Sequence, residues 1–504
     1  MVENNHPELM RLANSVLQPG FVGTTAPDWL LRRIGDGLGS VVLFGRNIET
    51  PEQVGALTAS LRAENPDLIV AIDEEAGDVT RLEARNGSSW PGNLALGVVD
   101  DIDLTEQVAR DIGRALREVG VSLNYAPSAD VNSNPMNPVI GVRSFGSRTD
   151  VVSRHTAAWI RGLQSAGVAA CAKHFPGHGD TDIDSHYALP QAKADASAIA
   201  LTALPPFIAA MEAGVRTVMT AHMLTPAYDG HLPATLSPRI INDLLRNDLG
   251  FTGLVVTDGI EMGAVSARYG ITGATVSAVA GGCDAVCVGG ESAEESTTVE
   301  LTDALVRAVL DGTLPEQRLA EAAARVHEFA AWSAKLARDF TPDEQSVDIG
   351  LVAARRAVTV HRNQGAEAEI PLVRDAHVVE LSPVTNLAID GCTPWGVADP
   401  LRVLQPGTTS VRIGESEFRG AKDLLERAAL APAIGRSLVI VVRDAARNSW
   451  MSQALDGLVR RRPDALVVEM GVPGGARPGA VYVTTHGATR VSGIAAAEFL
   501  LGGG

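Results

Sequence analysis

Val168-Ala169-Ala170-Cys171-Ala172-Lys173-His174-Phe175-Pro176-Gly177 is an apolar run that stops on a lysine and a histidine, then breaks at a proline and a glycine. Such a run reads as a short strand buried on both faces. The break leaves Lys173 and His174 at the strand's carboxyl end, where parallel α/β barrels carry their active sites. The chain continues to His186, so Lys173–His186 holds one lysine, three histidines and three aspartates. Only four of the 42 basic residues in the chain are lysines. A lysine here therefore points to a need for a compact ammonium rather than a planar guanidinium.

Outward from this strand the pattern repeats. Apolar runs at 15–21, 39–45, 68–73, 121–127, 168–174, 217–222, 253–258 and 284–289 alternate with amphipathic stretches such as 51–64, 104–119, 194–213 and 238–249. Strands followed by helices, with no alternation within the strands, imply a parallel sheet. Eight such units over some 300 residues predict a (β/α)8 TIM-like barrel. One helix has both ends marked: Ser237 suits the N-cap, Pro238 the first turn and Gly250 the left-handed exit. A closing helix is expected at 315–336. The polar, proline-containing stretch after it reads as a linker. The chain thus divides into a barrel at 1–338, a linker at 339–349 and a smaller α/β sandwich domain at 350–504. The last has a helix at 347–357 and strands near 376–381, 437–443, 465–470 and 480–484; residues 403–436 carry no assignable pattern.

The 504 residues suffice for a large core, and the net charge of −18 argues against a nucleic-acid partner. No uncharged apolar run reaches the ~20 residues of a membrane span. The opening MVENNHPELM lacks a basic and an apolar region, so a cytoplasmic chain is expected. Of Cys171, Cys283, Cys287 and Cys392, three sit in apolar strand-like runs. The Cys283/Cys287 spacing has no second Cys/His pair to make a metal site, so buried free thiols are expected there.

Polar groups recur where the strands end: Asp73, the stretch leading to Asp130 and Arg143, Lys173 with His174, His222, and Asp258. Charged residues are almost never fully buried unless paired, so the set suggests one polar mouth. Displacement at a sugar's anomeric carbon needs a carboxylate on one face and a proton donor on the other. Asp258, followed by Gly259, is the candidate nucleophile. His186 is the candidate acid/base, with Asp184 fixing its tautomer through a turn at Asp184-Ser185. Asp73, Arg81, Arg143, Lys173 and His174 are candidates for binding sugar hydroxyls and the amide, and His222 is grouped with them. No cofactor is expected. Two other readings compete. A metal-dependent barrel hydrolase could use His174, His178, His222 and Asp258 as ligands, but no His-x-His ends an early strand and Lys173 would set a cation beside the metal. A non-catalytic sugar-binding protein would have no need to retain both Asp258 and His186.

The chain resembles the glycoside hydrolase family 3 β-N-acetylglucosaminidases of the NagZ type over residues 10–335. The resemblance rests on KHFPGHGDTDIDSH at 173–186, IDEEAG at 72–77, GVRSFG at 141–146 and GFTGLVVTDGIEMGAV at 250–265. It implies a retaining mechanism on a small carbohydrate substrate, an N-acetylglucosaminide, with Asp258 as nucleophile and His186, assisted by Asp184, as acid/base. It also sets Asp73, Arg81, Arg143, Lys173 and His174 on sugar-contacting positions. The chain departs from the pattern at Glu74-Glu75-Ala76-Gly77, where Gln-Glu-Gly-Gly is frequent, and at Val142, where an acidic residue is common. An imidazole acid/base does not repel an anion as a carboxylate would, so inorganic phosphate is expected to be able to replace water as acceptor. The leaving group, whether a peptidoglycan fragment, a chitin fragment or an aryl sugar, stays open, as does the oligomeric state.

Overall fold

A computed structural model describes residues 6–339, 348–363 and 373–502. The chain forms two compact units. One comprises Met1–Glu75, Ile102–Ile140 and Ser144–Gln345; the other comprises Ala76–Asp101, Gly141–Arg143 and Ser346–Gly504. Most of the expected linker, residues 340–347, lies outside the described residues.

The first unit contains eight parallel strands: β1 (Leu17–Pro19), β2 (Ser40–Leu43), β3 (Ile69–Ile72), β4 (Leu123–Asn124), β5 (Ala169–Phe175), β6 (Thr217–Thr220), β7 (Leu254–Thr257) and β8 (Val286–Val288). β2 to β7 form one sheet in sequence order, and β8 pairs with β1. A bridge between Val256 and Ala285 joins β7 to β8. The Ser40 hydroxyl donates to the Leu17 carbonyl at 3.3 Å between β2 and β1. The eight strands therefore follow barrel order. All residues of β2, β3, β5, β6 and β7 are buried, because helices cover the outside while side chains fill the inside. Val326 and Phe329, from the closing helix Glu316–Asp339, pack with Val42, Ile69 and Leu123.

Local chemistry explains several details. Ser237 Oγ accepts the Ile240 amide at 3.3 Å and Gly250 has φ 73°, so both ends of that helix behave as the sequence suggests. Its body, Arg239–Asp248, winds with i→i+5 bonds. The expected helix at 194–213 is two helices, Ala196–Thr202 and Pro205–Glu212, since Pro205 and Pro206 remove donors that continuation would need. After β6 the chain makes a small hairpin, Leu224–Thr225 against Asp229–Pro233, that no sequence pattern announced.

The second unit holds a six-stranded sheet: β9 (Thr359–Arg362), β10 (His377–Ser382), β11 (Thr409–Gly414), β12 (Leu438–Val442), β13 (Leu466–Glu469) and β14 (Val481–Thr484). The order is β9-β14-β13-β12-β10-β11, parallel except for β9 at one edge. Both faces are covered. Val379, Ile440 and Val467 pack under Trp450 and Met451 of one helix, while Val378, Val439 and Val468 pack under Ala496 and Leu500 of another. Ala76–Asp101 and Gly141–Arg143 lie within the span the sequence gives to the barrel, after β3 and β4. By packing they belong with the second unit. No helix among the described residues is long and apolar enough to cross a membrane.

Candidate active site

β5 delivers two functional side chains in succession. Lys173 is 2% exposed, and its ammonium pairs with Asp73, the residue after β3, and with Glu75 Oε1 at 2.6 Å. An ammonium so deeply buried requires such partners. His174 is oriented by Asp130, whose Oδ2 takes the Nδ1 hydrogen at 2.7 Å. Asp130 is fully buried and also accepts the His178 amide at 2.6 Å and the Ser128 hydroxyl at 3.0 Å. Burial pushes the Asp130 carboxyl up, but His174 and His178 together outweigh it and hold the group below the usual range. Asp130 is thus a site residue to which the sequence assigned no role. Its signal was a polar residue a few positions past the β4 run. His178, also buried, sits edge-on to His174 and is pushed down to about 4, first by burial and then by that neighbour.

Asp258 follows β7 directly. Its Oδ1 accepts the Gly259 amide at 2.8 Å. Burial raises its pKa, but the imidazoles of His174, His222 and His186, with that amide, prevail and hold it at about 2. Asp258 is therefore a carboxylate at any working pH. His222 differs from its expected part as a sugar contact. Nε2 donates to the Gly259 carbonyl at 2.9 Å, and Nδ1 is hydrogen-bonded to the Thr235 hydroxyl at 2.8 Å. Burial depresses its pKa, and both nitrogens are already committed. The arrangement makes His222 a brace for the peptide beside Asp258.

The 184–186 tip adopts the turn that the sequence required. Asp184 Oδ1 accepts both the His186 amide at 2.9 Å and His186 Nδ1 at 2.6 Å. Burial raises the Asp184 carboxyl, yet the His186 bonds win and it stays below the ordinary range. The loop is fastened to the segment after Asp258: the Gly263 amide donates to the His186 carbonyl at 3.1 Å, and Ala264 to Ser185 at 3.3 Å. A side chain at Gly263 would meet those carbonyls, with a Cβ 2.9 Å from Tyr187 O and 3.0 Å from His186 O. Nearby, Glu261 accepts amides of Gly289 and Glu291, at 3.0 and 3.4 Å, and ties down the β8 loop.

Asp73, Lys173, His174, Asp184, His186, His222 and Asp258 all lie in the first unit. Arg81 and Arg143 lie in the second, both buried. There Arg81 donates to the Ala388 carbonyl at 2.9 Å, and the Arg143 carbonyl accepts from Asn93 at 2.6 Å. Among the described residues no three His, Cys, Asp or Glu side chains converge as metal ligands.

A barrel whose strand ends set an ionised aspartate beside an aspartate-oriented imidazole defines a class of carboxylate-and-imidazole barrel enzymes. The glycosyl hydrolase family 3 N-terminal domain matches residues 29–329, more than half of the chain. The chain belongs to glycosyl hydrolase family 3. A β-hexosaminidase A from Pseudoalteromonas piscicida is 37% identical over 284 residues, 52% of this chain and 47% of that protein. The chain thus spans about half the length of that relative. A β-hexosaminidase from Nitrosomonas eutropha is 36% identical over 271 residues, 52% of this chain and 77% of that one. The structure of a family 3 β-N-acetylglucosaminidase from Paenibacillus sp. str. FPU-7 matches with a TM-score of 0.85 at 31% identity, covering 98% of this chain and 97% of that chain.

Proposed function

We propose that this protein is a retaining, exo-acting β-N-acetylglucosaminidase that removes terminal β-linked N-acetylglucosamine. The observation that carries the reading is the fastening of the Asp184-oriented His186 to the loop that follows an ionised Asp258. In the first step an Asp258 oxygen bonds to the anomeric carbon. The bond to the leaving oxygen breaks, and His186 supplies that oxygen's proton. In the second step His186 takes a proton from water, which attacks the same carbon and releases the Asp258 carboxylate. Asp184 stabilises the imidazolium that donates in the first step and forms again in the second. Asp73, Lys173 and His174 would bind sugar hydroxyls, with Asp130 orienting His174. Arg81 and Arg143 enter from the sequence resemblance alone. The relatives named β-hexosaminidase and β-N-acetylglucosaminidase support the substrate class. Four unpaired cysteines support a reducing, cytoplasmic setting.

The test is a fluorinated N-acetylglucosaminide that forms the glycosyl-enzyme but resists its hydrolysis. The adduct should map to Asp258, and Asp258→Ala should lose at least about 10⁴-fold in kcat while remaining folded. An adduct elsewhere, or a variant of undiminished rate, overturns the assignment. A second reading, phosphorolysis on the same site, is favoured by one feature: the acid/base is an imidazole, which does not repel phosphate. Product analysis with phosphate present then yields N-acetylglucosamine 1-phosphate. A rate and product both indifferent to phosphate remove this reading.

A further inference from the structure

Open α/β sheets bind their ligands outside the carboxyl ends of the strands, where successive connections leave in opposite directions. In the second unit that point lies between β10 and β12, because β11 adds on one side of β10 and β12 on the other. Arg443 is the residue after β12, and its side chain is 5% exposed. A guanidinium so placed calls for an anion. The anion is Asp78. Its Oδ2 lies 2.5 Å from Arg443 Nη2, and its Oδ1 accepts the Ala488 amide at 2.7 Å. Ala488 comes two residues before the helix Arg490–Leu500, an end whose field favours negative charge. The Trp395 ring lies 5.7 Å from the same guanidinium. An arginine and a helix-end amide are how such a crevice would hold the carboxylate or phosphate of a separate ligand.

Asp78 also closes a strained turn. Ala76 and Gly77 have φ of 59° and 65°, and Ala76 bridges to Val79. The turn is centred on Gly77 and Asp78, and Ala76 enters it in a left-handed conformation that non-glycine residues adopt only at a cost. Gly77 is required there, since a Cβ would lie 2.5 Å from Gly92 Cα. A turn of this kind persists when something outside it holds it.

We propose that Asp78 is an internal ligand of the second unit. The crevice built for an anion grips the chain that leaves β3. Asp78 and Arg443 are then positioning residues for Asp73 and Glu75, the partners of Lys173 and respectively five and three residues upstream of Asp78. The kinetic part of this proposal rests on the proposed function; the anchoring part does not.

The experiment uses the whole chain and removes the internal carboxylate with Asp78→Ala. Amide exchange across 74–92 should accelerate at least about tenfold, as expected when a buried pair is broken. KM for an aryl N-acetylglucosaminide should rise about tenfold with kcat changed less. Added acetate should enter the vacated crevice and reverse both effects, but not in the double variant Asp78→Ala/Arg443→Ala. Unchanged exchange overturns the internal ligand. Faster exchange that acetate leaves alone does so too, since it marks a merely structural contact. Faster exchange with wild-type KM overturns the positioning role. Should Asp78→Ala not fold, Asp78→Asn keeps an acceptor for Ala488 but no charge for Arg443, and carries the exchange and KM comparisons. A wild-type chain inactive on every N-acetylglucosaminide would sink the proposed function while leaving the exchange result to judge the anchor.

Discussion

His222 would matter to the proposed reaction by holding the backbone beside Asp258. Thr220 donates to the Thr235 hydroxyl at 3.0 Å, Thr235 is hydrogen-bonded to His222 Nδ1, His222 Nε2 donates to the Gly259 carbonyl, and the Gly259 amide donates to Asp258. Each link fixes the next, so the ring holds the angle of the peptide from which Asp258, the proposed nucleophile, projects. Replacing His222 with Phe fills the space but removes both bonds. kcat should fall about 10- to 100-fold with KM little changed, and His222→Gln, whose amide can still donate, should recover part of the loss. A rise in KM at constant kcat would restore His222 to the sugar-contacting set. The difference between His222 and its neighbours explains what was legible at this scale. Asp73, Lys173, His174 and Asp258 announce themselves because an apolar strand stops on each of them. The roles of His222 and Asp130 depend on partners 13 to 44 residues away, and nothing local encodes those bonds.

The loop Pro176–Pro190 is an element without regular structure, and its position depends on one close approach. Its tip rests on the amides of Gly263 and Ala264, at the start of the helix Gly263–Gly281. Gly263→Ala sets a methyl against backbone carbonyls that cannot move without lifting the tip. The helix itself should tolerate alanine, which favours helix by about 1 kcal/mol over glycine. Thermal stability should therefore hold while kcat falls at least about tenfold. The loss should be larger for a substrate with a poor leaving group, which needs the His186 proton, than for an acidic nitrophenol, which does not. Equal losses on both substrates would mean that the fastening serves something other than proton transfer. Other elements were legible to unequal degrees. Strands buried on both faces, such as β3, β7 and β12, stood out as apolar runs. β11 has only one buried residue and lies in the stretch that gave no pattern. The attachment of Ala76–Asp101 to the second unit had no local signal, because its partners, such as Arg443 for Asp78 and Arg490 for Gly87, lie hundreds of positions on.

At the scale of the whole chain, the excess of acidic residues makes rising pH unfavourable to folding, and one group should dominate that trend in the second unit. Glu469 ends β13 fully buried, and its carboxyl accepts amides of Asp444 at 2.7 Å, Ala445 at 3.1 Å and Gly471 at 2.8 Å. Those bonds favour the ion. Burial above all, and then the Asp444 carboxylate, outweigh them and push the group from 4.5 up to about 7. An acid whose folded pKa is raised supports the fold fully below its unfolded pKa. It loses that support as pH climbs through the folded value. The window is therefore about pH 4.5 to 7, and the span corresponds to about 3 kcal/mol at ~1.4 kcal/mol per unit. Glu469→Gln keeps the shape and removes the titration. Its amide meets the Ala445 N–H badly, a penalty that does not vary with pH. The self-repulsion of a chain with net charge −18 is nearly common to both proteins and cancels in their difference. In urea unfolding from pH 4.5 to 8, the variant should start less stable than the parent and gain on it steadily toward neutral pH. Two parallel curves would show that the three amides keep Glu469 ionised throughout, and that the pH response of this unit arises at its surface.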